Sequence, residues 1–105
     1  MPGDYAQHLI EFSDLTPTTL GDADALAAVL VAAGGAMGLT GLGPPAVRRG
    51  PRGWAASLIG DDGHIVLHTE PDRGRCLLDV VGRSREAAER ASEVIARRLG
   101  ARLAG

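Results

Sequence analysis

Polar and apolar residues alternate along Gln7-His-Leu-Ile-Glu-Phe-Ser13, the two-residue period of a half-buried strand. The alternation stops between Asp14 and Gly21, where Pro17 and its flanking threonines predict a turn. Leu26, Val29, Leu30 and Ala33 then recur at three- and four-residue spacing, which predicts a helix capped by Asp22 or Asp24. Gly34-Gly35 is expected to loosen or stop that helix. Residues 40–53 are rich in Gly, Pro and Arg and read mostly as a loop, with room for an irregular strand near Ala46–Arg48. Three strands follow: Trp54–Ile59, Gly63–Thr69 and Cys76–Val81, separated by the turns Gly60-Asp-Asp-Gly63 and Glu70-Pro-Asp-Arg-Gly74. Ser84 then caps a long helix with the apolar stripe Ala88, Ala91, Val94, Ile95 and Leu99. Hairpin succession makes the sheet mostly antiparallel. The expected fold is therefore an α+β two-layer sandwich with two helices on one face.

At 105 residues the chain is a single domain, and it buries only roughly two thirds of its unfolded surface, so a partner would add stability. A formal charge of −2 and only three aromatic residues, Tyr5, Phe12 and Trp54, argue against a nucleic-acid binder. All 11 basic residues are arginine, which excludes lysine Schiff-base chemistry and a Walker-type phosphate loop. The single Cys76 forbids an intrachain disulfide, a cytoplasmic pattern. Neither a signal peptide nor a membrane span is expected, since the longest apolar stretch, Ala25 to Ala33, is about half the ~20 residues a span needs.

Within the strand Gly63–Thr69, His64, Val66 and His68 share one face, while Ile65, Leu67 and Thr69 share the other. The second set suits a helix-covered core, which leaves both histidines on the opposite, solvent- or partner-facing side. Four residues along a strand separate their Cα atoms by roughly 13 Å, so no joint metal site is assigned. Asp61 and Asp62 fit a turn as readily as a pair of acids. Arg48, Arg49 and Arg52 form a loop cluster able to grip a carboxylate or phosphate, though a solvated loop explains them too. Gly38-Leu-Thr-Gly41-Leu-Gly43 follows a helix instead of opening one, so it offers no phosphate-binding terminus.

Gly63-His64-Ile65-Val66-Leu67-His68-Thr69-Glu70-Pro71-Asp72 resembles the processing-site segment of the bacterial and archaeal S-adenosylmethionine decarboxylases. That family carries Glu-Ser-His-Ile-x-Ile-His-Thr-Trp-Pro-Glu, then an aspartate in the next strand and a cysteine just beyond. His64, Ile65, His68, Thr69, Pro71, Gly74 and Asp79 stand at matching positions without a gap, and the resemblance is strongest from Trp54 to Gly82. In the family, the serine before the first histidine is cleaved and becomes the pyruvoyl group, the electron sink for decarboxylation. Here that position is Gly63, which has no hydroxyl to attack the preceding carbonyl. The expectation is therefore a chain that neither cleaves itself nor carries a pyruvoyl cofactor. Asp62 replaces a glutamate, Glu70 a tryptophan, and Arg83 sits where a proton-donating cysteine is expected.

The resemblance implies a small-molecule site at or near a homodimer interface. His68 and Glu70 are the expected acid–base pair, with His64 beside them, and Asp72, Asp62 and Trp54 are assigned to substrate binding. The leading reading is a lyase-like enzyme acting on S-adenosylmethionine or a related amine or amino acid without a pyruvoyl group. A catalytically inactive homologue that binds S-adenosylmethionine or regulates an active paralogue is the alternative. A structural domain with a coincidental histidine strand is the third.

Overall fold

A computed structural model describes residues 5–41 and 43–101. The elements are β1 (Ala6–Phe12), α1 (Pro17–Leu20), α2 (Ala23–Met37), β2 (Ala46–Arg49), β3 (Trp54–Gly60), β4 (Gly63–Glu70), a 3₁₀ turn (Pro71–Arg73), β5 (Arg75–Gly82) and α3 (Arg85–Leu99). The five strands form one antiparallel sheet in the order β1-β5-β4-β3-β2. Helices α2 and α3 cover one face, as the alternation in the central strands requires. Ile65, Leu67, Leu78 and Val80 face the helices and are fully buried, against Leu26, Leu30, Ala91 and Ile95 from the helix layer. This is the α+β two-layer sandwich that the pattern predicts. No helix of the described residues is long and apolar enough to cross a membrane.

Both main helices begin where their side chains can satisfy orphan amides. Asp22 accepts from the Ala25 N–H at 3.1 Å and Ser84 from the Ala87 N–H at 3.1 Å. The expected interruption at Gly34-Gly35 does not occur, and α2 runs on to Met37. Gly34 is buried where the helix presses on β3, and a Cβ there would sit 2.5 Å from a methyl of Leu58. Close approach to the sheet outweighs the ~1 kcal/mol that glycine costs a helix interior. The helix ends instead at Gly38, in the left-handed conformation with φ 72°.

Two further elements depart from expectation. The turn expected across residues 14–21 contains the short helix α1, started by Pro17 at its first position and holding the fully buried Leu20. Residues 46–49 form a regular edge strand, because Val47 turns inward beside Ala56. Helix α2 carries the chain from the β1 edge across the sheet to this opposite edge, and the three hairpins β2–β3, β3–β4 and β4–β5 bring it back beside β1.

Candidate functional site

The open face of the sheet is assembled row by row from the strand register. One row is Glu11, Leu77, His68, Ala55 and Arg48; the next is Leu9, Asp79, Val66, Ser57 and Ala46; the third is Gln7, Val81, His64 and Ile59. Both histidines therefore lie on the side away from the helices. His8 lies on the helix side, where its Nδ1 is 3.4 Å from the Ser92 hydroxyl, so it cannot join either of them. Among the described residues no cluster of three metal-ligating side chains occurs.

The two histidines occupy different surroundings. His64 Nε2 lies 3.3 Å from an oxygen of Asp79, whose other oxygen accepts from the Gln7 amide at 2.8 Å. Cross-strand diagonals bring these three side chains together. His68, at the other end of β4, is exposed and opens into a cleft of about 390 Å³. Glu70 shares that cleft, with Leu77 beside it and the Gly50–Gly53 turn forming the opposing wall.

Glu70 stands directly across from Arg75, 3.8 Å away, and the same guanidinium donates to Glu11 at 2.6 Å. The buried Nε of Arg75 has no hydrogen-bond partner within normal reach. Its single charge lies between Glu11 and Glu70 and offsets the two carboxylates only in part. A single arginine on β5 thus lies between carboxylates on the two flanking strands, β1 and β4.

Trp54 positions the wall of the cleft. Its backbone N–H donates to the Thr69 hydroxyl at 3.2 Å, and that hydroxyl donates to the Leu20 carbonyl at 2.9 Å. Its indole N–H donates to the Gly21 carbonyl at 3.1 Å, and Arg49 lies over the ring, 5.7 Å from the centroid. Beside it, Gly53 packs so tightly on the Thr69 carbonyl that a Cβ would overlap the oxygen. The hairpin tip is closed by Gly50 N–H to Gly53 O at 2.7 Å.

The remaining assigned residues lie outside the cleft. Asp72 is exposed in a neighbouring depression of about 530 Å³ on the far side of the Gly50–Gly53 turn, bounded also by Arg49 and Trp54. Asp62 lies at the β3–β4 turn, about 20 Å along β4 from His68 at ~3.3 Å per residue. Its carboxylate accepts from the Thr40 N–H at 3.0 Å, which holds its pKa below the ordinary value. The Asp61 N–H donates to the Thr40 carbonyl at 2.8 Å, so the two aspartates clamp the turn to the end of α2. Cys76 is fully buried on the helix face, and desolvation pushes its thiol up to about 12. It cannot serve the open face. Arg83 is exposed and lies over the Tyr5 ring, 5.1 Å from its centroid.

A side chain at position 63 would require the uncleaved backbone to shift. A Cβ built on Gly63 would overlap the carbonyl oxygen of Val81 and lie 3.1 Å from a methyl of Leu39. The chemistry available on this face is proton transfer and ion pairing by His68, Glu70, His64 and Asp79. Sequence reasoning did not assign Asp79, Gln7 or Arg75 to the site. For Arg75 the signal was present, because Glu70 and Arg75 flank a turn and face each other once the hairpin closes.

Comparison with known proteins places this geometry in context. The family model for S-adenosylmethionine decarboxylase matches residues 6–104. The crystal structure of the adenosylmethionine decarboxylase from Aquifex aeolicus VF5 superposes with a TM-score of 0.82 at 18% identity, covering 94% of this chain and 82% of that one. No curated protein matches by sequence.

Proposed function

The chain belongs to the S-adenosylmethionine decarboxylase family, and from that premise we propose a divergent, non-self-cleaving member that acts on a small metabolite by His68–Glu70 acid–base chemistry. The observation that carries this reading is the cleft of about 390 Å³ in which His68 and Glu70 stand together on the open face. An imidazole and a carboxylate on one wall can pass a proton to and from a bound molecule. Removing carbon dioxide from an amino acid leaves an electron pair that requires an acceptor. Gly63 cannot become a pyruvoyl group, and a chain without lysine cannot anchor an aldehyde cofactor as an imine. Proton transfer on S-adenosylmethionine or a related amine or amino acid is the chemistry that these side chains support.

The test combines two measurements on the purified protein. Its intact mass, followed over days, should remain that of the uncleaved chain. Calorimetric titration of S-adenosylmethionine should show saturable binding that His68→Ala abolishes, followed by turnover that needs Glu70. Cleavage between Asp62 and Gly63, or binding indifferent to His68→Ala, would overturn the proposal. Saturable binding without turnover, together with an altered rate of a separate active decarboxylase on mixing, would establish the regulatory reading instead.

We further propose a homodimer formed through the open face. Leu9 is 68% exposed, Ile59 55% and Leu77 43%, and all three lie on this one surface. A sheet face of this composition is normally covered. Sedimentation equilibrium should give twice the chain mass at micromolar concentration. A monomer there, unchanged by Leu9→Glu, would refute it.

A further inference from the structure

Glu70 by itself suggests that the cleft attracts cations. The register tempers this expectation, because Arg75 stands across from Glu70, its single charge shared with Glu11. The arginines around the cleft differ in what they already hold. Arg75 is shared between Glu11 and Glu70, and Arg49 lies over Trp54. Arg52 is different. It is exposed, and among the described residues no carboxylate pairs with it.

Arg52 also occupies a built position. It sits at the tip of the β2–β3 hairpin, between Gly50 and Gly53, whose backbone bond closes the turn. Gly53 abuts the Thr69 carbonyl, and the Trp54 amide is held by the Thr69 hydroxyl, so the tip is fixed over the end of β4. Three adjoining depressions share Arg52 as a wall: the His68 cleft and the two that contain Asp72. A guanidinium offers a planar fork of donors to an oxyanion, and His68 on the facing wall offers a further polar contact.

We infer that the cleft recognises its ligand through an anionic group, a carboxylate or phosphate, seated on Arg52 and facing His68. This rests on the reading of the cleft as a small-molecule site and narrows it. Substrates that keep an acidic group are favoured over simple amines, which offer Arg52 nothing. A ligand with only cationic groups could pair with Glu70 but would leave Arg52 without a partner.

The experiment is an amide-detected NMR titration of the intact protein with three probes. Glutarate and inorganic phosphate present the two anion chemistries, and 1,5-diaminopentane presents a cation of the same carbon length as glutarate. An anion should shift the amides of Gly50, Arg52, Gly53 and His68 saturably, and whichever of the two binds more tightly identifies the group. The diamine, which offers Arg52 nothing, should shift these amides less than the tighter-binding anion. Arg52→Ala should weaken the anion about tenfold or more while the remaining spectrum stays native, and Arg52→Lys should recover part of the loss. Anion binding unchanged in Arg52→Ala, or shifts centred on Arg97 and Arg98, would overturn the assignment. Diamine binding without anion binding would leave the cleft a ligand site but sink the anionic class. A cleft silent to all three probes would sink both.

Discussion

The two ends of β4 share a strand, a face and a histidine each, yet one is closed and the other open. At the Gly63 end the backbone of β4 lies so near Val81 that no side chain fits, and Asp61 and Asp62 tie the turn to Thr40. At the Glu70 end the β2–β3 hairpin tip is fixed over the end of β4 and walls a cleft beside His68. His64 is held by Asp79, which Gln7 in turn engages, while His68 is exposed. The difference teaches that the two ends of one strand can be shaped by unlike contacts, one by close backbone approach and the other by a neighbouring hairpin. The closed end is shaped by backbone contacts, which one side chain can disrupt. The open end is shaped by a hydrogen-bonded hairpin, which persists whether or not position 63 carries a hydroxyl.

The sharpest way to break the comparison is to force a side chain into the closed end. Gly63→Ser restores the hydroxyl that self-cleavage would need, but its Cβ must displace the Val81 carbonyl. We expect a loss of about 3 kcal/mol, at the upper end of the range for overpacking, measured by urea unfolding. Mass spectrometry should still find one uncleaved chain. A stable variant that cleaves after Asp62 would show that the closed end is closed only by the missing oxygen.

A smaller effect is expected from loosening the open end. Thr69 is 2% exposed, and its hydroxyl links the Trp54 amide to the Leu20 carbonyl. Thr69→Val leaves both groups without that partner and should cost about 2 kcal/mol. Faster hydrogen exchange at Gly50 and Gly53 should accompany the loss, with the β3–β4 turn unaffected. Equal loosening at both ends would show that they are not independent.

The smallest effect belongs to Asp62, which is solvent-exposed. The Thr40 N–H lowers its pKa in the folded protein, so its contribution is present above the ordinary carboxylate range. That contribution is lost as pH falls through the lowered value. Asp62→Asn should therefore reduce stability slightly at neutral pH, and the difference from the parent should shrink on acidification. Unfolding midpoints measured across that range check the sign. A difference that grows in acid would contradict the hydrogen bond to Thr40.

Much of this molecule was legible in the sequence. The alternation in Gly63–Thr69 put both histidines on the face away from the helices because side-chain direction along a strand has a period of two. The family resemblance rested on consecutive residues within one strand and turn, where spacing survives folding unchanged. The persistence of α2 through Gly34 was not legible, since a glycine's helix cost is local while its benefit, contact with Leu58, comes from β3. Nor was the separation of Asp62 and Asp72 from the cleft. Their distance from His68 along the chain is small, but one lies at the far end of β4 and the other behind the hairpin tip.

The sequence by itself determined the layers, the faces of the strands and the absence of the pyruvoyl-forming serine, because each follows from residue type and local periodicity. Only the tertiary structure decided which charges meet. Arg75 reaches both Glu11 and Glu70, and Asp79 joins Gln7 to His64, because antiparallel pairing sets distant segments side by side. Electrostatic interaction depends on distance in space, and the strand register supplies that distance.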